Sequence, residues 1–224
     1  MKKAAENMNQ PDWYAPYANM RTDGYVLLAA LLNSPPDGEL INLIRNIQWD
    51  EDLQETMQQQ LVSLKQACDS CAEEEIAAEF HRLFVGLGRG ELVPYGSWYR
   101  EKMIQSATLA AIRSDLRKLG IIRRSDTYES EDHAGALCEI MALVSQEAEA
   151  IPHNDQASFF NKHISPWMPA FFRDMQAVRD IEFYRAVGAL GSCFLKAEDE
   201  YLLNSLHYQN VTQQGGIQNE GKIF

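Results

Sequence analysis

In segment after segment of this chain, apolar residues recur at steps of three and four. Leu53, Met57, Leu61 and Leu64 are one such series; Leu109, Ile112, Leu116 and Leu119 are another, and Val187, Leu190, Phe194 and Tyr201 a third. That spacing places side chains on one face of a helix. No stretch alternates at period two for long, and no Asn-Gly or Asp-Gly hairpin signal lies between β-branched runs. The fold class that follows is all-α. Punctuation by proline, glycine and capping residues divides the chain. A helix over Tyr25–Leu32 stops at Asn33-Ser34-Pro35-Pro36, and a short one through Leu40–Ile47 has Asp37 near its start. Helices are predicted over Asp52–Ala67, Glu73–Gly86 and Ala107–Leu119, the last closed by Gly120. Ser130 is the expected N-cap of a helix through Ala134, Leu137, Met141, Val144 and Ala148. Two short helices flank Pro166 and end near Val178, and a final one covers Ile181–Leu206. Residues 1–17 read as a polar arm carrying Trp13, Tyr14 and Tyr17, and residues 208–224 as a flexible tail with little to bury. The body between them, 18–207, is one domain.

Composition narrows the function classes. The chain has 224 residues, enough for one substantial core, and 46% hydrophobic content, ordinary for a globular protein. No apolar run approaches the ~20 residues of a membrane span, and no apolar segment follows Lys2-Lys3 as in a secretory signal. Cytoplasmic residence without stable membrane insertion is the expectation. A net charge of −12 argues against nucleic acid as partner and suits a basic one. The same acids also serve simply to keep a protein in solution. The four cysteines are expected to be reduced thiols. Cys68 and Cys71 have C-x-x-C spacing, but no second pair completes a zinc site and they end a helical stretch, so no metal is expected.

The most unusual stretch is Phe80–Tyr99, FHRLFVGLGRGELVPYGSWY. It begins as the end of a helix; Gly86, Gly88 and Gly90 then permit tight turns, and Pro94 prevents helical continuation. The residues Pro94–Tyr99 read as a loop with three large rings, suited either to covering a core or to lining a groove. The glycines form no P-loop, so no phosphate cradle and no cofactor are expected.

LFVG, a glycine-rich gap and P-(aromatic)-x-S-x-(aromatic) resemble the TorD/DmsD family of redox-enzyme maturation proteins. Glu129-Ser130-Glu131-Asp132-His133 is similar to that family's E-P-x-D-H, with Ser130 replacing the usual proline. His163-Ile164-Ser165-Pro166-Trp167 is similar to its H-x-x-P-W, followed by Phe183-Tyr184-Arg185-Ala186 as in FYRA. The resemblance covers roughly Gly24 to Tyr201. It implies a single globular bundle of about nine to ten helices with a hinge between two helical subregions near 120–130. It also implies a cytoplasmic chaperone, and no enzyme, that binds the apo form or the twin-arginine signal peptide of a molybdoenzyme catalytic subunit. Monomer and domain-swapped homodimer are both compatible with it. The client-binding residues it implies are Tyr95, Ser97, Trp98, Tyr99, Glu129, Asp132 and His133.

Other readings stand beside this one. Asp132 and His133 could serve a small hydrolase or a nucleotide-dependent enzyme, although successive helical residues point about 100° apart and no nucleophile motif accompanies them. They could also cap a helix. A helical adaptor for a non-exported molybdoenzyme, such as a formate dehydrogenase, would have the same architecture. His163 and Trp167 are expected to anchor the bundle, and Arg185 to make a structural ion pair.

Overall fold

The computed structural model describes residues 14–86, 90–102, 107–122, 130–147 and 150–217, with side chains through residue 204. Among them are ten α-helices and no strand: α1 (Tyr14–Asn33), α2 (Gly38–Arg45), α3 (Glu55–Ser70), α4 (Glu73–Phe80), α5 (Gly96–Glu101), α6 (Ala107–Lys118), α7 (Ala134–Gln146), α8 (His153–His163), α9 (Met168–Ala177) and α10 (Phe183–Ile217). A π-helical turn, His81–Val85, continues α4 and ends at Gly86, whose φ of 59° favours glycine. No described helix is long and apolar enough to cross a membrane. Residues 123–129, where the hinge was expected, lie outside the described residues.

α10 is the spine. It packs against α9, α3, α8, α4 and α1, while α1 lies along α7. The interface depends on close approach: the ring of Phe194 rests on the Cα of Gly24, and that of Phe172 on the Cα of Gly191. Phe171, Phe172, Phe183, Tyr184 and Phe194 are all buried in one contiguous core.

Several boundaries differ from expectation. The arm ends earlier than residue 17: α1 begins at Tyr14, with Pro16 tolerated in the first turn, and Tyr17 is a core residue. α10 continues past Leu206 to Ile217, so 208–217 is helical backbone where composition suggested a tail. No proline follows Pro169, and a helix once nucleated propagates at little cost. Gly96–Glu101, expected as loop, is helical. Arg185 donates to the Val178 carbonyl at 3.2 Å instead of pairing with an acid. Asp37 does cap α2, accepting from Leu40 N at 2.9 Å, and Gly120 closes α6 with a φ of 72°.

A buried ionic cluster ties the first helix to the last. Arg21 and Glu198 form a bidentate pair at 2.8 and 2.7 Å, and both are almost wholly buried. Tyr17 donates to the same carboxylate at 3.1 Å, and Gln156 accepts from Arg21 at 3.0 Å. The guanidinium also lies 4.6 Å from the centre of the Tyr201 ring.

Candidate functional site

The aromatic motif and the Asp-His motif meet, and backbone joins them. Tyr95 and His133 form an isolated antiparallel bridge. Ala134 N donates to Pro94 O at 2.8 Å, and Gly96 N to Asp132 O at 2.8 Å. α5 is too short to persist by itself, and Tyr95 offers no side-chain cap. Asp132 supplies the cap from another segment: its Oδ2 accepts from Ser97 N at 3.0 Å, while its Oδ1 accepts from Ser130 Oγ at 2.6 Å. The helix expected to begin at Ser130 therefore begins at Ala134, because Ser130 turns toward Asp132. His133 caps it, Nδ1 accepting from Gly135 N at 3.2 Å.

Around this junction α9 supplies the wall. Tyr99 lies 5.5 Å from the Trp167 ring and 6.1 Å from Phe171, and its hydroxyl donates to Asp174 at 2.8 Å. Burial, and then the Asp174 carboxylate, push the Tyr99 phenol well above its ordinary pKa, so it remains a donor. Tyr95 meets the His133 ring edge-on at 5.1 Å. Gly96 is required for closeness, since a Cβ there would stand 3.0 Å from the Trp167 indole nitrogen. Trp167 is itself fixed by donating to His163 O at 2.7 Å, and His163 Nε2 bonds Asp115 at 3.0 Å. Both residues anchor the bundle, as their motif suggested.

The predicted client-binding residues thus divide. Tyr95, Trp98 and Tyr99 are half-buried and contribute to the surface, with Lys102 5.6 Å from the Trp98 ring. Ser97 and Asp132 are fully buried, and His133 nearly so. They set the position of α5 and do not face solvent. Glu129 lies outside the described residues. A catalytic role for Asp132 finds no support in this geometry, because both carboxylate oxygens are engaged in holding the fold. Cys68 is buried in α3 and Cys71 follows it at the C-cap; burial raises both thiols above the ordinary range, Cys68 to about 11. Among the described residues no group of His, Cys, Asp or Glu is arranged to hold a metal.

Sequence reasoning missed three parts of this region. Glu131, nearly buried, makes a bidentate pair with Arg113 of α6 at 2.9 Å twice, which fixes the segment entering α7. Asp174 is the partner of Tyr99, and nothing in spacing links residues 75 apart. The Arg21–Glu198 pair did leave a signal: each charge occupies a position in its helix's apolar stripe.

Residues 50–173, more than half the chain, match the family model described as "Nitrate reductase delta subunit". The chain is 27% identical over 144 residues to a "Chaperone protein TorD" of Vibrio cholerae serotype O1, covering 60% of this chain and 65% of the relative. It is 30% identical over 121 residues to a "Tat proofreading chaperone DmsD" of Salmonella typhi, covering 53% and 58%. In each case less than two thirds of the relative's length is spanned. A protein of Archaeoglobus fulgidus described as a redox enzyme maturation protein shares the fold, with a TM-score of 0.52 at 18% identity over 79% of this chain and 94% of that one. The matched span contains α5, the Asp132-His133 junction and Trp167, and the chain belongs to the TorD-like family whose model is described as the nitrate reductase delta subunit.

Proposed function

We propose that this chain is a maturation chaperone for a molybdoenzyme, acting in the cytoplasm. It binds the apo catalytic subunit, its twin-arginine signal peptide, or both, before cofactor insertion and export. The observation that carries the reading is the α5–α7 junction. Tyr95, Trp98 and Tyr99 form an aromatic surface whose position is fixed by two inter-segment backbone hydrogen bonds and the Asp132 cap. Tyrosine and tryptophan give a peptide large contact area at low entropic cost, with polar tips for orientation. Asp132 and His133 contribute by holding that surface. The net charge of −12 favours approach of a basic peptide. The printed names of the relatives, a TorD chaperone and a Tat proofreading chaperone, point the same way.

The test is capture of the client. Tagged protein purified from anaerobically grown cells should carry a molybdoenzyme subunit identifiable by mass spectrometry, and its labelled signal peptide should bind the pure chaperone. Trp98→Ala and Tyr95→Ala should weaken that binding at least tenfold in protein that circular dichroism shows to be still folded. Full affinity in both variants would move the recognition surface elsewhere; absence of any molybdoenzyme in the captured material would refute the function.

A further inference from the structure

His163 is a titratable side chain set in the wall behind the aromatic surface, where α5, α6 and the start of α9 converge on the end of α8. Its ring is 2% exposed and lies against Phe159, one turn earlier in α8. Nε2 is 3.0 Å from the Asp115 carboxylate of α6, so Nε2 carries the hydrogen and Nδ1 is the bare nitrogen. That Nδ1 is buried and has no partner among the described residues. The carbonyl of His163 accepts from the Trp167 indole at 2.7 Å. Trp167 in turn is the surface on which Gly96 and Tyr99 of α5 rest.

The charges around the ring are unbalanced. Asp115 already serves Lys118 of α6 at 2.5 Å and Lys162 of α8 at 3.6 Å. α5 adds Arg100, whose Nη1 donates to the Lys162 carbonyl at 3.1 Å, and α9 brings only the uncharged Trp167 to the bond with His163. One carboxylate thus stands among three cations. A proton on His163 would add a fourth positive charge, with an Nδ1–H that finds no acceptor. Burial lowers the imidazole pKa, Asp115 opposes the shift, and Lys162 and Arg100 add to it. The cation that leaves at least cost is Arg100, which is exposed and sits on a six-residue helix capped from elsewhere. We propose that His163 is a proton-operated latch: neutral, it keeps α5 docked on α8 and α9; protonated, it drives off Arg100 and the end of α5, and the aromatic surface loses its order. The latch stands on this geometry; only its consequence, release of a client on acidification, rests on the chaperone reading. By linkage, a ligand that binds the docked surface expels the proton.

The test follows the Lys102 amide, which donates to Trp98 O at 3.0 Å at the end of α5, by hydrogen exchange corrected for the intrinsic effect of pH. From about pH 7.5 to about pH 5.5, a window spanning the ordinary histidine pKa, its protection should fall at least tenfold in the full chain while circular dichroism shows the bundle still folded. His163→Gln keeps an N–H for Asp115 and cannot titrate; Arg100→Gln, at an exposed position, removes the repelled charge. Each should hold the change within threefold. The His163 ring, followed by NMR, should also titrate at higher pH in Arg100→Gln than in wild type, a shift that a merely structural Arg100 would not produce. Should His163→Gln fail to fold, Arg100→Gln decides by itself. Protection independent of pH in the wild type overturns the inference, as does an equal fall in Arg100→Gln. An equal fall in folded His163→Gln overturns it too, since the sensor would then be another group, such as His133 beside Tyr95. In a parallel arm, a fluorescein-labelled peptide with two arginines ahead of a leucine–alanine run should lose affinity at least tenfold over the same range in wild type and less than threefold in the variants. An α5 that loosens as described while the peptide stays bound supports the latch and refutes only the aromatic surface as the client site.

Discussion

Replacing Asp132 by alanine separates a capping role from a ligand-contacting one. The substitution removes the acceptor 3.0 Å from Ser97 N and 2.6 Å from Ser130 Oγ. Ser130 is only half-buried and can turn to water, whereas Ser97 is fully buried and its N–H would have no partner. An orphaned buried donor costs about 1–3 kcal/mol. At ~2–4 °C per kcal/mol for a chain of this size, the melting temperature should fall by roughly 2–12 °C. Asp132→Asn keeps a carbonyl oxygen for Ser97 and loses only the charge-assisted increment, about 1 kcal/mol. The expected order of stability is therefore wild type, Asn, Ala. Calorimetry gives that order, and hydrogen exchange at the Ser97 amide gives the mechanism: protection should drop in the alanine variant and persist in the asparagine one. Peptide affinity should follow protection, because α5 carries the aromatic surface. An alanine variant that melts with the wild type and keeps the Ser97 amide protected would refute the capping argument.

Other expectations test the rest of the frame. Glu198→Ala leaves Arg21 charged and buried and should destabilise by about 3–5 kcal/mol, while Arg21→Met with Glu198→Leu should recover most of that loss in urea titrations; a double variant no better than the single would contradict this. His163 and His153 have pKa values lowered chiefly by burial. The unfolded chain therefore takes up protons first as pH drops below about 6.5, and stability present above that pH should decline toward pH 5. The joint variant His153→Asn, His163→Asn should flatten this slope, and an unchanged slope would count against the assignment. Asp115, held at about 2 with Lys118 as the largest cause, should contribute only in a lower window, between about 3.8 and about 2. Gly24→Ala would drive a methyl into the buried Phe194 ring and should cost about 1–3 kcal/mol, whereas at Gly135 the nearest obstacle is the exposed Asn33 side chain, which can swing aside by giving up its bond to Glu139, so Gly135→Ala should cost less; equal thermal shifts for the two would refute the packing argument.

The helical architecture was legible because each amphipathic helix repeats one stripe and ends at recognisable chemistry, Asp37 at α2 and Gly120 at α6. α5 was not, because its cap comes from Asp132, 35 residues away, and no local signal records a cap supplied from elsewhere. The motifs mark segments that the fold brings together, but they do not show which of their residues are buried and which reach the surface. Ser97 and Asp132 stand beside the exposed rings in sequence, yet both are buried and bonded to each other, a difference that only the fold reveals. Arg21 and Glu198 were readable in principle. Arg21 falls four residues after Tyr17 and four before Tyr25, and Glu198 four after Phe194 and three before Tyr201. A charge inside an apolar stripe needs a buried counter-charge, and each chain position predicts the other's existence without saying where it lies.

The Arg21–Glu198 pair has a consequence for how the molecule comes into being. Its two members are separated by 177 positions in the chain. Translation at ~5–20 residues per second therefore leaves Arg21 waiting roughly 9–35 s for its partner. During that interval the face of α1 destined for α10 has nothing to close on, and contacts of such long sequence separation form late. Shortening the delay, by circular permutation that places α10 ahead of α1, should raise the yield of folded protein at high expression rates.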